Sequence, residues 1–339
     1  MRARTFLAAV ATAALLVGTF GVSIVAGGDT AETTGTMVLT QSTTLAADHA
    51  GNIRIAADGV TLDCAGHTVN GPGADGFNGG IDFNSLRDVT IRRCVVTGFQ
   101  YNGVYGSEDV NARLEGNVFV ANGNHGLHLH LASDSVIVGN TAKDNGTVEP
   151  AIGIVLTRSF GVTIQANVAS GWTGAGIGIA LLDGTNGSTV VGNRVTRTWL
   201  GISVESSSGN VLTGNTANVN LDGFSVRGSS GNTLTRNVAN GNISIGFQVD
   251  GKSSANTLAR NIANGNNDGF NIQAANRNVL SWNSARNNHR YGLIVGTGSS
   301  NNTTVYCTAV GNGKYDAYGV GSGTGNAWYR NTFGTKAGL

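Results

Sequence analysis

The chain has 339 residues, of which only 12% are charged, and it contains 52 glycines against two prolines. Its formal charge is +1, which becomes −1 once Arg2 and Arg4 of the amino-terminal segment are set aside. This even balance gives no basic surface for nucleic acid, and three cysteines fit neither a zinc site nor a dense disulfide framework.

The amino-terminal segment is typical of an export signal. Arg2 and Arg4 precede an apolar run from Phe6 to Ala26, and the small residues that follow suit cleavage before Asp29. An uncleaved membrane anchor is the alternative, although threonine, serine and glycine interrupt the run. We predict a signal peptide over residues 1–28. The mature protein would then be secreted to the cell exterior, the cell surface or the periplasm, without a membrane span.

The rest of the chain repeats with a nearly constant period. Asparagine recurs at intervals of 22 to 27 residues, and a glycine followed by an apolar residue keeps the same step. Two markers locked to one period indicate a solenoid, because each repeat must place its turn and its strand at a fixed angle around one axis. The asparagines are Asn117, Asn140, Asn167, Asn193, Asn215, Asn237, Asn261 and Asn283, and the glycine markers are Gly80, Gly103, Gly126, Gly153, Gly176, Gly201, Gly223, Gly246, Gly269 and Gly292.

Each repeat has the pattern of short strands. In the stretch from Gly223 to Arg227, apolar and polar residues alternate with period two, which indicates a strand and not a helix. Such short strands cannot bury their own apolar face, but stacked copies pair in parallel about 4.8 Å apart and share one core. We expect the repeated asparagines to hydrogen-bond from rung to rung, which is a structural role.

Particular stretches resemble a known group of proteins. Residues 59–69 and 88–99 resemble the opening coils of right-handed parallel β-helix repeat proteins of the NosD and pectin-lyase-like type, and residues 325–333 are similar to their final rung. The resemblance, from about residue 51 to 333, implies an all-β, single-stranded right-handed parallel β-helix solenoid of about ten to eleven rungs. We predict an amino-terminal cap over 29–58, repeats over 59–325 and a carboxyl-terminal cap over 326–339. Such folds carry lyases, epimerases, hydrolases and copper-enzyme maturation factors, so the fold alone assigns no activity.

The cysteines divide into a pair and a single thiol. Cys64 and Cys94 belong to neighbouring coils, where facing Cα atoms lie near the distance that a disulfide needs. Cys307 lies about nine rungs further on, roughly 40 Å away at the strand spacing. We therefore predict a Cys64–Cys94 disulfide and an unpaired Cys307, with Cys94 and Cys307 standing at ladder positions that other repeats give to asparagine.

Outward-facing residues of successive repeats stack into columns. One column places Asp82, Tyr105 and His128 on consecutive rungs, and His130 lies beside them in the next column. Phenol and imidazole groups can abstract and return a proton beside a sugar carboxylate, the step common to uronate lyases and epimerases. These four residues are the predicted catalytic group.

Proton abstraction beside a carboxylate also requires a cation, for which the nearest candidates are Arg158 and Arg113. The stretch from Tyr105 to Asp109 resembles the Tyr-Gly-x-Asp-Pro-His motif of alginate epimerases but lacks its Pro-His, and the paired aspartates and Gly-His-Gly of polygalacturonases are missing. The alternatives are that the histidines are inert or that His128 and His130 hold a soft transition metal. No cofactor is required, although a divalent cation remains an option.

A second group is Glu205, Arg227 and Asp250, which the repeat stacks on three successive rungs. This row is a candidate substrate-binding site for a charged sugar, and an exposed ion-pair ladder is the alternative. Together these features predict a secreted, monomeric β-helix that binds a polysaccharide, favouring a uronate-type glycan, and cleaves or epimerises it if it is an enzyme. The alternatives are a non-catalytic structural or surface-binding protein and a NosD-like copper-maturation protein.

Overall fold

The computed structural model describes residues 32–72, 76–146, 151–171 and 176–339. The predicted signal peptide therefore lies outside the described residues. All strands in the described ranges belong to a parallel β-solenoid, and these ranges contain no helix, so none that is long and apolar enough to cross a membrane. The predicted all-β parallel β-helix is confirmed, with about twelve turns against the ten to eleven that were expected.

Three faces of the solenoid are formed by stacked strands. The first, here called the long-strand sheet, has 14 strands: Met37–Leu39, Ile53–Ile55, Gly79–Asn84, Asn102–Ser107, His125–His130, Ile152–Thr157, Ile177–Leu182, Leu200–Glu205, Asp222–Arg227, Ile245–Asp250, Asp268–Ile272, Tyr291–Val295, Tyr315–Tyr318 and Lys336–Ala337. The second sheet has 13 strands: Thr43–Thr44, Thr61–Asp63, Thr90–Arg92, Arg113–Glu115, Val136–Val138, Thr163–Gln165, Thr189–Val191, Val211–Thr213, Thr233–Thr235, Thr257–Ala259, Val279–Ser281, Thr303–Val305 and Ala327–Tyr329.

The third face consists of a nine-stranded sheet and a four-stranded sheet, which isolated bridges through Val238 connect. The nine strands are Thr33–Thr34, His49–Ala50, Thr68–Asn70, Val95–Thr97, Val118–Val120, Thr141–Lys143, Val168–Ser170, Arg194–Thr196 and Thr216–Asn218. The four strands are Ile262–Asn264, Ser284–Arg286, Thr308–Val310 and Thr332–Phe333.

One apolar core runs along the axis, because each strand turns alternate side chains inward. In its carboxyl-terminal half, Phe224, Phe247 and Phe270 stack with ring centroids 4.7 and 4.9 Å apart. Buried apolar side chains therefore repeat in register from coil to coil. This repetition fixes how the outer columns align.

The predicted asparagine ladder forms, and it turns the chain between the second and third faces. Asn215 shows the pattern: its side-chain oxygen accepts the backbone N–H of Asn193 at 2.9 Å, and its amide nitrogen donates to the carbonyl of Val190 at 2.8 Å. Cys94 and Cys307 occupy this ladder, as predicted, since their backbone N–H groups donate to Asn117 and Asn331. Two further asparagine ladders, which were not predicted, run through Asn220, Asn242, Asn266, Asn288 and Asn312, and through Asn210, Asn232, Asn256, Asn278 and Asn302.

Candidate functional site

The long-strand sheet brings the predicted catalytic column into register. Tyr105 pairs with Asp82 on one side and with His128 on the other, so the three side chains leave the sheet on consecutive strands. The ring centroids of Tyr105 and His128 lie 5.3 Å apart in an edge-to-face arrangement. His130 follows two residues after His128 on the same strand and faces the same way.

The structure adds a residue that sequence reasoning missed. Arg54, on the preceding strand, pairs in register with Asp82 and is exposed. Its guanidinium lies over the ring of Phe77, with 4.7 Å between the guanidinium carbon and the ring centroid. The row therefore reads Arg54, Asp82, Tyr105, His128 over four consecutive strands. The signal was available in Asn52-Ile53-Arg54, whose alternation is right but whose marker glycine is replaced by asparagine.

Asp82 is the carboxylic acid of this row, and its pKa is raised well above the usual value. It is only 3% exposed, and while one carboxylate oxygen accepts the backbone N–H of Asn78 at 3.1 Å, the other has no hydrogen-bond partner. Burial raises the pKa of Asp82 to about 6, against the opposing effects of its backbone hydrogen bonds and of the Arg54 charge. A carboxyl with this pKa can exchange a proton near neutral pH.

Three histidines surround the end of the row. The ring of His128 contacts His125 and His130 edge-to-face, at centroid distances of 5.5 and 6.3 Å. The hydroxyl of Thr157 lies 2.9 Å from Nε2 of His128 and 2.8 Å from Nδ1 of His130, which ties both rings to one point on the next strand. His125 Nδ1 accepts the backbone N–H of Ile152 at 3.2 Å, so the neutral ring carries its proton on Nε2.

Burial keeps two of these imidazoles, those of His125 and His128, neutral. It lowers the pKa of His128 to about 3, with smaller contributions from the neighbouring His125 and His130, and it lowers the pKa of His125 to about 4. At neutral pH both rings are therefore uncharged. The His128 ring is unprotonated, as a general base must be, and its pKa of about 3 makes it a weak base.

The two cations proposed from the sequence lie outside the strands of the long-strand sheet. Arg158 is exposed in the turn that follows the strand of Thr157. Arg113 lies on the second sheet and pairs with Glu115, with 2.8 Å between Nε and the carboxylate oxygen. Arg54 is the arginine that the strand register places beside Asp82.

The polar row ends after His128. The next positions of the column are Val155 and Ala180, which form a small buried apolar cluster outside the main core. Counting from the Gly176 marker, as in the other repeats, predicts Gly178 at this position, and this prediction is wrong. Gly176-Ile177 and Gly178-Ile179 both fit the glycine-apolar pattern, and the structure pairs Ile179 with Ile202. The shift of two residues also puts Leu182, and not Ala180, beside Thr157 in the column that contains His130.

Glu205, Arg227 and Asp250 lie in register on three successive strands, as the repeat indicated. Among the described residues, however, no ion pair joins Arg227 to either acid. The Arg227 side chain extends over the turn glycine Gly251, where an added Cβ would lie 2.9 Å from its Cγ. Gln248 donates instead to Asp250 at 2.7 Å. Glu205 and Arg227 therefore present separate charges to solvent, whereas Asp250 is half-buried and one of its carboxylate oxygens is enclosed without a hydrogen-bond partner.

The cysteines adopt the expected states. Cys64 and Cys94 form a disulfide with Cα atoms 4.7 Å apart. Cys307 is a free, fully buried thiol whose pKa burial raises to about 11. Within residues 32–72, 76–146, 151–171 and 176–339, no group of three or more His, Cys, Asp or Glu side chains is arranged to hold a metal ion.

Two protein-family models match the chain, each over slightly less than half of its length. Residues 34–195 match the model described as right handed beta helix region, and residues 182–337 match that of the periplasmic copper-binding protein NosD. A comparison with curated proteins gives no match.

Several solved structures share the fold. A mutant of the periplasmic alginate epimerase AlgG aligns over 89% of this chain and 78% of its own, with a TM-score of 0.60 and 16% identity. The A-module of the Azotobacter vinelandii mannuronan C-5 epimerase AlgE6 aligns over 91% and 89%, with a TM-score of 0.50 and 16% identity. A catalytic-domain variant of a GH87 α-1,3-glucanase, in complex with nigerose, aligns over 89% and 62%, with a TM-score of 0.52 and 13% identity. The chain is thus a right-handed parallel β-helix repeat protein, and identities this low establish the fold alone.

Proposed function

We propose that the protein is exported and binds an extracellular or periplasmic polysaccharide of the uronate type on its long-strand sheet, where it abstracts the proton beside the sugar carboxylate. The observation that carries this proposal is the in-register row of Arg54, Asp82, Tyr105 and His128. It combines a cation for the carboxylate with three groups able to transfer protons. Structural neighbours that act on polysaccharides support the substrate class.

Each member of the row has a role that its environment suits. The exposed guanidinium of Arg54 stands three strands from His128, roughly 14 Å at the strand spacing, and binds the carboxylate of a neighbouring sugar in the polymer. The neutral imidazole of His128 accepts the proton beside the carboxylate of the sugar bound there, and the phenol of Tyr105, next to it on the same face of the sheet, is the proton donor. Asp82, with a pKa of about 6, is a proton reservoir beside the carboxylate.

Two outcomes follow from the same carbanion-like intermediate. If a proton returns to the opposite face, the sugar is epimerised. If the bond from the neighbouring carbon to the glycosidic oxygen breaks, the carbanion's electron pair forms a carbon–carbon double bond, the oxygen leaves with a proton, and the chain is cleaved. Both reactions begin with the same proton abstraction, so one experiment detects either of them.

The test is incubation of the protein with uronate polymers in D2O, with deuterium at the abstracted position read by NMR and unsaturated product by ultraviolet absorbance. We expect Tyr105→Phe and His128→Ala each to lower turnover about a hundredfold or more. Arg54→Gln is expected to raise KM and to lower turnover. Gln248→Ala, further along the same column, is the control and should retain activity. Wild-type protein that binds uronate polymers but gives neither deuterium incorporation nor unsaturated product would remove catalysis and leave the non-catalytic binding protein.

A copper-maturation role is the second candidate, and the family-model match over residues 182–337 is what favours it. Titration of the protein with Cu(I) and Cu(II) tests this role directly. Stoichiometric binding that His128→Ala and His130→Ala abolish, together with no effect of any uronate, would favour copper over polysaccharide.

A further inference from the structure

The amino-terminal and carboxyl-terminal parts of the solenoid carry opposite net charges. Residues 32–230 contain 10 basic and 16 acidic residues, a net of −6, whereas residues 231–339 contain nine basic and three acidic residues, a net of +6. Two of those three acids, Asp268 and Asp316, are buried. The near-zero charge of the whole chain therefore conceals a basic carboxyl-terminal third.

Part of this positive charge is concentrated in one turn column, immediately before the first asparagine ladder. Here the backbone N–H of each residue donates to a carbonyl of the next coil, which aligns the positions through the fold. In the coils from residue 116 to 214 the position holds four glycines and Ala166, all with left-handed φ between 53° and 64°. The next five coils hold a run of large residues, here called the arginine–aromatic strip: Arg236, Arg260, Trp282, Tyr306 and Arg330.

The strip is built from large side chains in a backbone conformation that glycine adopts most easily. All five have φ between 51° and 58°. Trp282 is 56% exposed, and the three arginines are exposed as well. At the glycines of the earlier coils, an added Cβ meets nothing within 4 Å, so this column faces open solvent. Burial in the core therefore does not explain the change from glycine to arginine, tryptophan and tyrosine.

The aromatic rings hold the strip in order. Trp282 and Tyr306 stack with centroids 4.4 Å apart and planes 13° from parallel. Arg330 lies over the other face of Tyr306, at 5.7 Å from the ring centroid, and donates to its hydroxyl. Because the rings stack along the solenoid axis, their edges point outward. The solvent therefore meets guanidinium groups and the indole N–H, which are donors only.

The arginines lack acidic partners. No ion pair among the described residues involves Arg236, Arg260 or Arg330. Arg236 and Arg260 stand on successive coils about 4.8 Å apart, where like charges repel. A linear ligand with repeated anionic groups would relieve this repulsion and satisfy the donors.

We propose that the arginine–aromatic strip is a second binding site, which takes an anionic polysaccharide running along the solenoid axis. The coil spacing is comparable with the length of one pyranose unit in a linear chain, so successive carboxylate or sulfate groups meet successive donors. Single-stranded nucleic acid is the less suitable polyanion, because its bases stack on successive aromatic faces, and here Tyr306 and Arg330 cover all of these faces except one side of Trp282. The inference deepens the proposed function and depends on it for the ligand class. The strip lies in the turn between the second and third faces, whereas the catalytic row lies on the long-strand sheet. The strip would therefore hold the polymer without reacting with it.

The test uses variants that the fold already accommodates. Replacing Arg236, Arg260 and Trp282 by glycine restores the residue that most earlier coils carry, so the triple variant should fold and melt at or above the wild-type temperature. We expect its Kd for a uronate oligosaccharide, measured by calorimetry at low salt, to rise tenfold or more, and the wild-type affinity to fall as salt is added. The matched control is Arg277→Gly, an exposed arginine with φ of 57° in another turn column, which should change the Kd less than twofold.

The outcomes separate this inference from the proposed function. An unchanged Kd in the triple variant overturns the strip as a binding site, while loss of deuterium incorporation in His128→Ala would still support the catalytic row. Failure of the wild-type protein to bind or modify any acidic polysaccharide overturns both. Competition by single-stranded DNA as strong as that by the uronate oligosaccharide would overturn the assignment to polysaccharide. Binding lost in the triple variant, with activity on short oligomers retained, supports the strip.

Discussion

Replacing Asp109 by serine should make the protein more stable at neutral pH. Asp109 is fully buried; one carboxylate oxygen accepts the backbone N–H of Leu86 at 3.0 Å, and the other has no partner. In most later coils the same inward position holds serine or threonine, whose hydroxyl accepts the equivalent N–H, as Ser159 does from Ala132 at 3.1 Å. Serine at 109 would keep the one hydrogen bond and remove the unpaired oxygen.

The size of this stability difference follows from the pKa of Asp109. Burial raises the pKa of Asp109 from 3.8 to about 7, assisted slightly by the charge of Glu108. A carboxyl whose pKa is higher in the folded state contributes stability that is fully present below the unfolded pKa and is lost as the pH rises through the folded pKa. The loss therefore falls between about pH 4 and pH 7 and is at most on the order of 4 kcal/mol.

Urea unfolding at pH 4, 5, 6, 7 and 8 measures this effect. The lowered pKa values of His125 and His128 make both proteins gain stability over part of this range, so the expected signal is the difference between them. Asp109→Ser should gain stability relative to the wild type as the pH rises from 4 to 7, whereas Asp82, whose pKa is raised to about 6, contributes equally to both curves. Asp183→Ser, which removes an exposed carboxyl, is the control and should follow the wild type. Parallel pH curves for wild type and Asp109→Ser would refute the buried, protonatable carboxyl.

Three further predictions concern the scaffold. Asn215→Leu leaves the Asn193 N–H and the Val190 carbonyl unpaired in the interior. This should lower the free energy of unfolding in urea by about 3 kcal/mol or more, and an unchanged midpoint would show that the ladder does not stabilise the fold. Replacing Cys64 and Cys94 by alanine opens a crosslink of sequence separation 30 and should lower the free energy of unfolding by about 3 kcal/mol, whereas equal stability of the two forms would count against this. Cys307, being buried with a raised pKa, should resist iodoacetamide in the native protein and react in denaturant; rapid native alkylation would show that its coil opens.

The sequence predicted the register of Asp82, Tyr105 and His128 because the Gly80, Gly103 and Gly126 markers are evenly spaced. It did not reveal Arg54, since the coil before Gly80 carries asparagine at the marker position and the interval to it is longer. It misplaced the column at Gly178 because two glycines separated by two residues satisfy a pattern of period two equally well. Register errors of this kind keep every side chain on the correct face and still move it along the strand.

Side-chain direction and turn positions were less accessible to sequence reasoning. The repeat placed Arg227 beside two acids, but rotamer choice sent its side chain over Gly251, and spacing alone does not specify a rotamer. The arginine–aromatic strip was missed because columns were read from strand positions, whereas its members stand in a turn. Their shared left-handed φ becomes visible only when the backbone is known.

The two candidate sites differ in how strongly the backbone constrains their residues. Strand positions such as Tyr105 accept almost any outward side chain, so the argument for the catalytic row rests on its chemistry. At the strip, a side chain in the left-handed region costs about 1 to 2 kcal/mol per residue, offset in part because glycine loses more entropy on folding. Other turns of this fold also hold non-glycine residues at positive φ, so the position alone marks nothing. What the scaffold does not require is five consecutive large donors facing solvent. Recognition of an anionic ligand gives that run a physical reason.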